Sequence, residues 1–145
     1  MSRIEVEVTI PAPLTVVWAH LADISSHVEW MADAEAIRFT STARQGVGTT
    51  FDCDTKVGPL KLTDRMEVTE WEPERRMGVR HVGLVTGTGA FALSSDGPSS
   101  TRMVWSEELR FPWWMAGPVG ARVAQPILRW IWRGNLRRLR DRVAG

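Results

Sequence analysis

The chain has 145 residues, enough for one domain that buries a hydrophobic core. Its composition includes eight Trp, no Tyr and a single cysteine, Cys53, which excludes a disulfide within the chain. A lone cysteine fits a reducing compartment, so we expect a cytoplasmic protein. The charged, alternating N-terminus is unlike a signal peptide, and no apolar run reaches transmembrane length. A single domain covering 1–145 is predicted.

The first third of the chain predicts one strand and two short helices. Residues 4–10 alternate between apolar and polar side chains, which is the pattern of a half-buried strand. Apolar residues then recur at helical spacing over 14–21. Ser26 and Glu29 have the spacing of a capping box, which predicts a second short helix.

From residue 34 to residue 111 the sequence predicts six further strands in hairpin succession. Apolar side chains alternate with polar ones in runs separated by turns rich in Gly, Pro and Asp, such as 72–75 and 95–99. The segment Thr86–Gly89 is interpreted as a turn or bulge that interrupts a strand. Short hairpin connections imply an antiparallel sheet.

The segment 117–143 is the one stretch long enough for a helix of several turns. The inner face we assign to it is small in its first half, up to Ala124, and bulky in its second half, with Ile127, Leu128, Ile131 and Leu139. Small residues leave space beneath a helix, so we predict that this helix is the lid over a cavity. The fold class is therefore α+β, with a curved seven-stranded antiparallel sheet that grips the C-terminal helix.

Charge is unevenly distributed along the chain. The last 36 residues contain eight arginines and one acidic residue, whereas the preceding part is acidic overall. Four of these arginines fall on one stripe of the helix: Arg122, Arg129, Arg133 and Arg140. A solvated helix face is the favoured interpretation, and contact with a membrane or a partner is the weaker one.

Three polar residues occupy positions where strand alternation predicts apolar, inward-facing ones: Asp64, His81 and Glu107. If the 72–75 turn centres its hairpin, His81 lies opposite Met66 and diagonal to Asp64. Extending this strand pairing across the next two hairpins places Glu107 at about the same height along the strands as Gly83. The three side chains could contact a ligand, form a structural pair, point outward because of a bulge, or act as an acid–base pair.

The chain resembles the START-like, Bet v 1-like (SRPBCC) superfamily, and within it the polyketide cyclase/dehydrase and lipid-transport group. The residues that carry the resemblance are Pro11–Trp18 after the first strand, Leu21, Asp23, Trp30, the glycine pair Gly46 and Gly48, Glu72-Pro73 and the amphipathic C-terminal helix. The resemblance implies an apolar cavity between the sheet and the long helix. It also implies a carrier, a sensor or a cyclase, because the superfamily includes all of these.

The favoured hypothesis is a binding protein that holds a hydrophobic small molecule, such as a lipid, a quinone-like or a polyketide-like compound. The residues predicted to contact it are Asp64, Met66, His81, Phe91, Trp105, Glu107, Ile127 and Ile131. One alternative is a cyclase/dehydratase-type enzyme that uses His81 with the carboxylates, and another is a membrane- or partner-docking protein. Ligand spacing for a metal is absent from the sequence, and no cofactor, catalytic set or nucleic-acid partner is predicted.

Overall fold

A computed structural model describes residues 2–145, which form one seven-stranded antiparallel sheet and two α-helices. The strands are β1 (Ser2–Ile10), β2 (Ala34–Phe39), β3 (Thr50–Val57), β4 (Leu60–Glu72), β5 (Arg76–Val82), β6 (Thr86–Ser95) and β7 (Thr101–Arg110). Their order across the sheet is β1-β7-β6-β5-β4-β3-β2. Each strand from β2 to β7 therefore neighbours the next one in the chain, and the predicted helix-grip α+β class is confirmed.

Two helical segments connect β1 to β2, and a single long helix ends the chain. Helix α1 (Leu14–Ala22) buries Val17, Trp18 and Leu21, as its spacing predicts. The second predicted helix is a 3-10 helix over Ile24–Glu29. After β7 a short 3-10 turn (Trp113–Met115) leads into α2 (Gly117–Ala144), which runs through Pro126.

Helix α2 packs against the sheet through stacked aromatic rings. The indole rings of Trp132 on α2 and Trp105 on β7 lie 4.7 Å apart between centroids and are inclined by 19°. Phe91 and Trp30 approach Trp105 edge-on, with centroid distances of 5.3 and 6.2 Å. Edge-on and offset contacts of this kind are favourable, because the electron-rich face of one ring meets the electron-poor edge of the next.

A buried asparagine fixes the second half of α2 to the loop before β2. The Nδ2 atom of Asn135 donates to Asp33 Oδ1 at 2.8 Å, and its Oδ1 atom accepts from the Ala32 amide at 2.9 Å and from the Arg138 guanidinium. Trp132 Nε1 donates to the other Asp33 oxygen at 3.1 Å. Because these partners satisfy the fully buried Asn135 amide, they hold the second half of α2 against this loop. The cavity lies beneath the middle of the helix.

The register of the C-terminal strands differs from the prediction. The segment Thr86–Gly89 is the first part of β6 and does not interrupt a strand. Glu107 on β7 is consequently paired with Gly89 on β6, and Gly89 is paired with Val79 on β5. The prediction that Glu107 lies level with Gly83 along the strands is therefore wrong. The predicted pairing of Met66 with His81 is confirmed.

The predicted inner face of α2 is correct at Leu128, which is buried, but not at Ile127 and Ile131. Ile127 is 50% exposed, and Ile131 packs against the edge of the core without lining the cavity. The cavity is closed instead by Ala124, Leu128 and Trp132. The prediction that Ile127 and Ile131 wall the cavity is therefore wrong.

Candidate functional site: a charged cluster in an apolar cavity

A cavity of about 190 Å³ lies between the inner face of the sheet and α2. Its walls are mostly apolar, because the inward positions of β3 to β7 are occupied by hydrophobic side chains. They include Phe51, Val57, Leu62, Met66, Met77, Val79, Phe91, Trp105 and Leu109. One end of the cavity is formed by Phe111 and Met115, just before α2, and by Leu60, which is partly exposed at the β3–β4 turn.

The three inward polar residues meet in this cavity as one hydrogen-bonded cluster. His81 Nδ1 lies 2.9 Å from Asp64 Oδ2, and His81 Nε2 lies 2.6 Å from Glu107 Oε1. Glu107 also accepts a hydrogen bond from Trp105 Nε1 at 3.3 Å through its second oxygen. The imidazole is thus held between two carboxylates that come from strands on either side of it.

A glycine on the intervening strand makes the contact with Glu107 possible. His81 is on β5 and Glu107 is on β7, so β6 lies between them. A Cβ atom at Gly89 would lie 2.0 Å from Glu107 Oε1 and 2.5 Å from its Cδ atom. The Glu107 side chain therefore lies directly over Gly89, in space that any larger residue would fill.

Its two carboxylate neighbours keep His81 protonated. Burial lowers the pKa of His81, but the charge of Glu107, the hydrogen bonds of both carboxylates and the charge of Asp64 outweigh it and raise the pKa to about 10. Both ring nitrogens then donate, one to each carboxylate. One imidazolium between two carboxylates gives the cluster a net charge of one negative unit.

Within the cluster the two carboxylate side chains are less buried than the imidazole. The His81 side chain is only 4% exposed, whereas those of Asp64 and Glu107 are 16% and 8% exposed. Both N–H groups of His81 are already used, and the protonated ring has no lone pair with which to accept a proton. The cavity therefore offers hydrogen-bond acceptors and negative charge to a ligand.

Six of the eight predicted contact residues line the cavity: Asp64, Met66, His81, Phe91, Trp105 and Glu107. The β3 wall of the cavity is not among the predicted contact residues; its inner face is formed by Phe51, Cys53, Thr55 and Val57. Strand alternation alone could have identified these four residues, since their spacing of two places them on one side.

Two further groups in the cavity wall are uncharged at neutral pH. Burial lowers the pKa of His27 to about 4, partly offset by a 2.8 Å hydrogen bond from its Nε2 atom to the Leu21 carbonyl. Burial likewise raises the pKa of the Cys53 thiol to about 11. The charge within the cavity is therefore concentrated on the His81 cluster and on Asp33, which hydrogen-bonds Asn135 and Trp132.

Within residues 2–145, no group of three or more His, Cys, Asp or Glu side chains is arranged to hold a metal ion. The part of the chain that the structure describes also contains no helix with the length and apolar character needed to cross a bilayer.

Comparison with known proteins agrees with this architecture. The family model described as polyketide cyclase/dehydrase and lipid transport matches residues 1–144. The chain belongs to this family. A comparison with curated proteins gives no match.

Solved structures share the fold of this family member across nearly its whole length. The protein TTHA0849 from Thermus thermophilus is 22% identical, with a TM-score of 0.80 and coverage of 98% of this chain and 97% of that one. The Zhui aromatase/cyclase from Streptomyces sp. R1128 is 19% identical, with a TM-score of 0.71 and coverage of 99% and 92%. A START superfamily protein from Mycobacterium smegmatis is 12% identical, with a TM-score of 0.69 and coverage of 99% and 94%. At these identities the similarity shows the fold alone.

Proposed function

We propose that this protein binds a hydrophobic small molecule whose polar end carries a hydrogen-bond donor or a positive charge. The observation that carries the proposal is an apolar cavity whose main ionic group is the negatively charged cluster of Asp64, His81 and Glu107. Membership of a family described by polyketide cyclisation and lipid transport supports a hydrophobic ligand.

The cavity lining supports an aromatic or acyl body for the ligand. The indole of Trp105 and the ring of Phe91 are flat walls on the sheet side, and Met66 and Met77 are flexible ones. Apolar cavities with a few convergent polar groups are typical of small-molecule sites, in which the apolar area supplies affinity and the polar groups set orientation.

The charge of the cluster supports a donor at the polar end. A ligand carboxylate placed against Asp64 or Glu107 would bring two negative charges together in a water-poor space, which is costly. A hydroxyl, an amide N–H or an ammonium group would instead meet a carboxylate acceptor. We therefore favour neutral or cationic ligands over anionic ones.

The same geometry favours binding over acid–base catalysis by His81. A general base needs a free lone pair, and both nitrogens of this imidazole donate to carboxylates. This hydrogen bonding supports a structural and electrostatic role for His81. A cyclase/dehydratase would have to use a residue other than His81 to transfer a proton to or from its substrate.

Filling the cavity from the helix side should weaken ligand binding. Ala124→Trp places an indole in the space beneath α2, so we expect its affinity for the neutral fluorescent probe N-phenyl-1-naphthylamine to fall at least about tenfold, which corresponds to about 1.4 kcal/mol. The matched control is Ala19→Trp on the exposed surface of α1, which should bind the probe as the wild type does.

The measurement is a fluorescence titration, with thermal unfolding of both variants recorded alongside. Ala124→Trp should remain folded, because the new side chain enters existing space. A folded Ala124→Trp variant that binds the probe as tightly as Ala19→Trp would contradict the proposed site.

A further inference from the structure

The solvent side of α2 carries a second apolar stripe, opposite the buried one. Val119, Val123, Ile127 and Trp130 follow one another at intervals of four, four and three residues and are exposed by 67, 64, 50 and 77%. The preceding turn adds Trp113 and Trp114, exposed by 87 and 55%. We call these six residues the outer stripe.

An outer stripe of this kind is unusual on a helix that already packs against a core. The buried face of α2 is formed by Ala121, Leu128, Trp132 and Leu136, so the core is complete without the outer stripe. The solvent face of such a helix is normally polar. A contiguous exposed apolar surface usually marks contact with another molecule or with a membrane.

Positive charge borders the outer stripe on one side. Arg122, Arg129 and Arg133 lie within one helical turn of stripe residues, and none of the three takes part in an ion pair within the described residues 2–145. Acidic residues are absent between Phe111 and Arg140 in the sequence. Elsewhere several arginines do have carboxylate partners, for example Arg38 with Asp54.

We propose that the outer stripe docks on an anionic membrane surface, with Arg122, Arg129 and Arg133 contacting lipid headgroups. Tryptophan is favoured at the membrane–water interface because its ring is apolar and its N–H is polar. Arginines beside an apolar helix face add attraction to anionic lipids. A nucleic acid would match the arginines but leave the valines and Ile127 without apolar contact.

This surface adjoins one end of the cavity. Met115 follows Trp114 directly and lines the cavity, and Ala124 lines it next to Val123 of the outer stripe. A membrane bound at the outer stripe would therefore lie close to the cavity end formed by Phe111 and Met115. The docking proposal itself does not depend on any ligand being bound.

The experiment is flotation of the full chain with vesicles, supported by the tryptophan emission spectrum. The vesicles are phosphatidylcholine alone or phosphatidylcholine with about 30% phosphatidylglycerol. The wild type should bind only the anionic vesicles, with emission shifted to shorter wavelength. Binding should weaken at least about tenfold as NaCl rises from about 50 to about 500 mM, because salt screens the arginines.

Two matched pairs of variants test whether vesicle binding depends on the outer stripe or on general properties of the protein. Val123→Asp changes the outer stripe, and Val47→Asp changes a valine of similar exposure, 66%, in the turn between β2 and β3. Arg122→Glu and Arg75→Glu reverse one charge each, the second in the turn between β4 and β5. We expect at least about tenfold weaker binding for Val123→Asp and Arg122→Glu, and wild-type binding for the two controls.

All four variants change exposed side chains, and circular dichroism checks that each is folded. The proposal is overturned if the wild type does not bind anionic vesicles at low salt, or if each variant behaves like its control. A concentration-dependent dimer in sedimentation that Val123→Asp abolishes, without vesicle binding, would assign the outer stripe to a second copy of the chain instead.

Discussion

Replacement of His81 by Phe is expected to lower the free energy of unfolding by about 3–5 kcal/mol at neutral pH, because it leaves two carboxylates facing each other in a buried site. In the native protein the imidazolium lies 2.9 Å from Asp64 and 2.6 Å from Glu107. Phe keeps an aromatic ring at this position, although a larger one, so the change removes the positive charge and both donors with a modest change in packing.

The control is the triple variant Asp64→Asn/His81→Phe/Glu107→Gln, which removes the charges together. It should recover most of the lost stability, since neutral amides can remain buried at lower cost than unpaired carboxylates. Urea denaturation of the three proteins measures the difference. A loss below about 1 kcal/mol for His81→Phe would mean that the carboxylates are not held as a buried charged pair.

The pH dependence of this stabilisation has a defined sign. The pKa of His81 is raised from 6.5 in the unfolded chain to about 10 in the folded protein. Its contribution to stability is therefore fully present below 6.5 and is lost as the pH rises through 10. The stability difference between wild type and His81→Phe should shrink over that interval.

Substitution of Gly89 by Ala is expected to separate Glu107 from His81. The added methyl group would lie 2.0 Å from Glu107 Oε1, so the carboxylate must move away from the imidazole. We expect a loss of about 1.5–3 kcal/mol, the range for a hydrogen bond to a charged group. The pKa of His81, read from imidazole NMR signals, should fall from about 10 because one of its two anionic partners is withdrawn.

A double-mutant cycle with Glu107→Ala separates this effect from simple crowding. Once Glu107 is truncated, Gly89→Ala has no carboxylate to displace and should cost little. If the two substitutions instead destabilise additively, the methyl group must clash with the backbone of the sheet. The proposed role of Gly89 in admitting Glu107 would then be wrong.

Strand alternation was sufficient to find the charged cluster. Side chains alternate between the two faces of any strand, so the inward positions of Asp64, His81 and Glu107 could be read without knowing the exact register. The pairing of Met66 with His81 was also predicted correctly, although the prediction assumed a hairpin centred on 72–75 without a bulge. The strands on either side of the turn pair Glu72 with Arg76, and a bulge between Val68 and Glu70 restores the register further along.

The strand register that positions Glu107 could not be predicted, because two glycines in a short segment are typical of turns. Gly87 and Gly89 are instead strand residues of β6, and the lack of a side chain at Gly89 leaves room for Glu107. A glycine required by the approach of another side chain cannot be distinguished in sequence from one required by a turn.

Ile127 was assigned to the inner face of α2 together with Leu128, because the helix has two apolar stripes. Ile127 belongs to the exposed stripe and Leu128 to the buried one, and both satisfy helical spacing. Hydrophobic periodicity identifies an apolar face but does not say which of two such faces meets the core. The stacking of Trp132 on Trp105 and the hydrogen bonds of Asn135 fix the rotation that the structure shows.

The most direct test of the proposed function compares two probes that differ by one anionic group. N-phenyl-1-naphthylamine is neutral and has an N–H donor, and 8-anilinonaphthalene-1-sulfonate adds a sulfonate to the same ring system. Fluorescence titration of the wild type should show at least about tenfold tighter binding of the neutral probe, with the preference reduced in Asp64→Asn/His81→Phe/Glu107→Gln. Equal or tighter binding of the sulfonate by the wild type would contradict a cavity whose negatively charged cluster selects ligands with a donor or a positive charge.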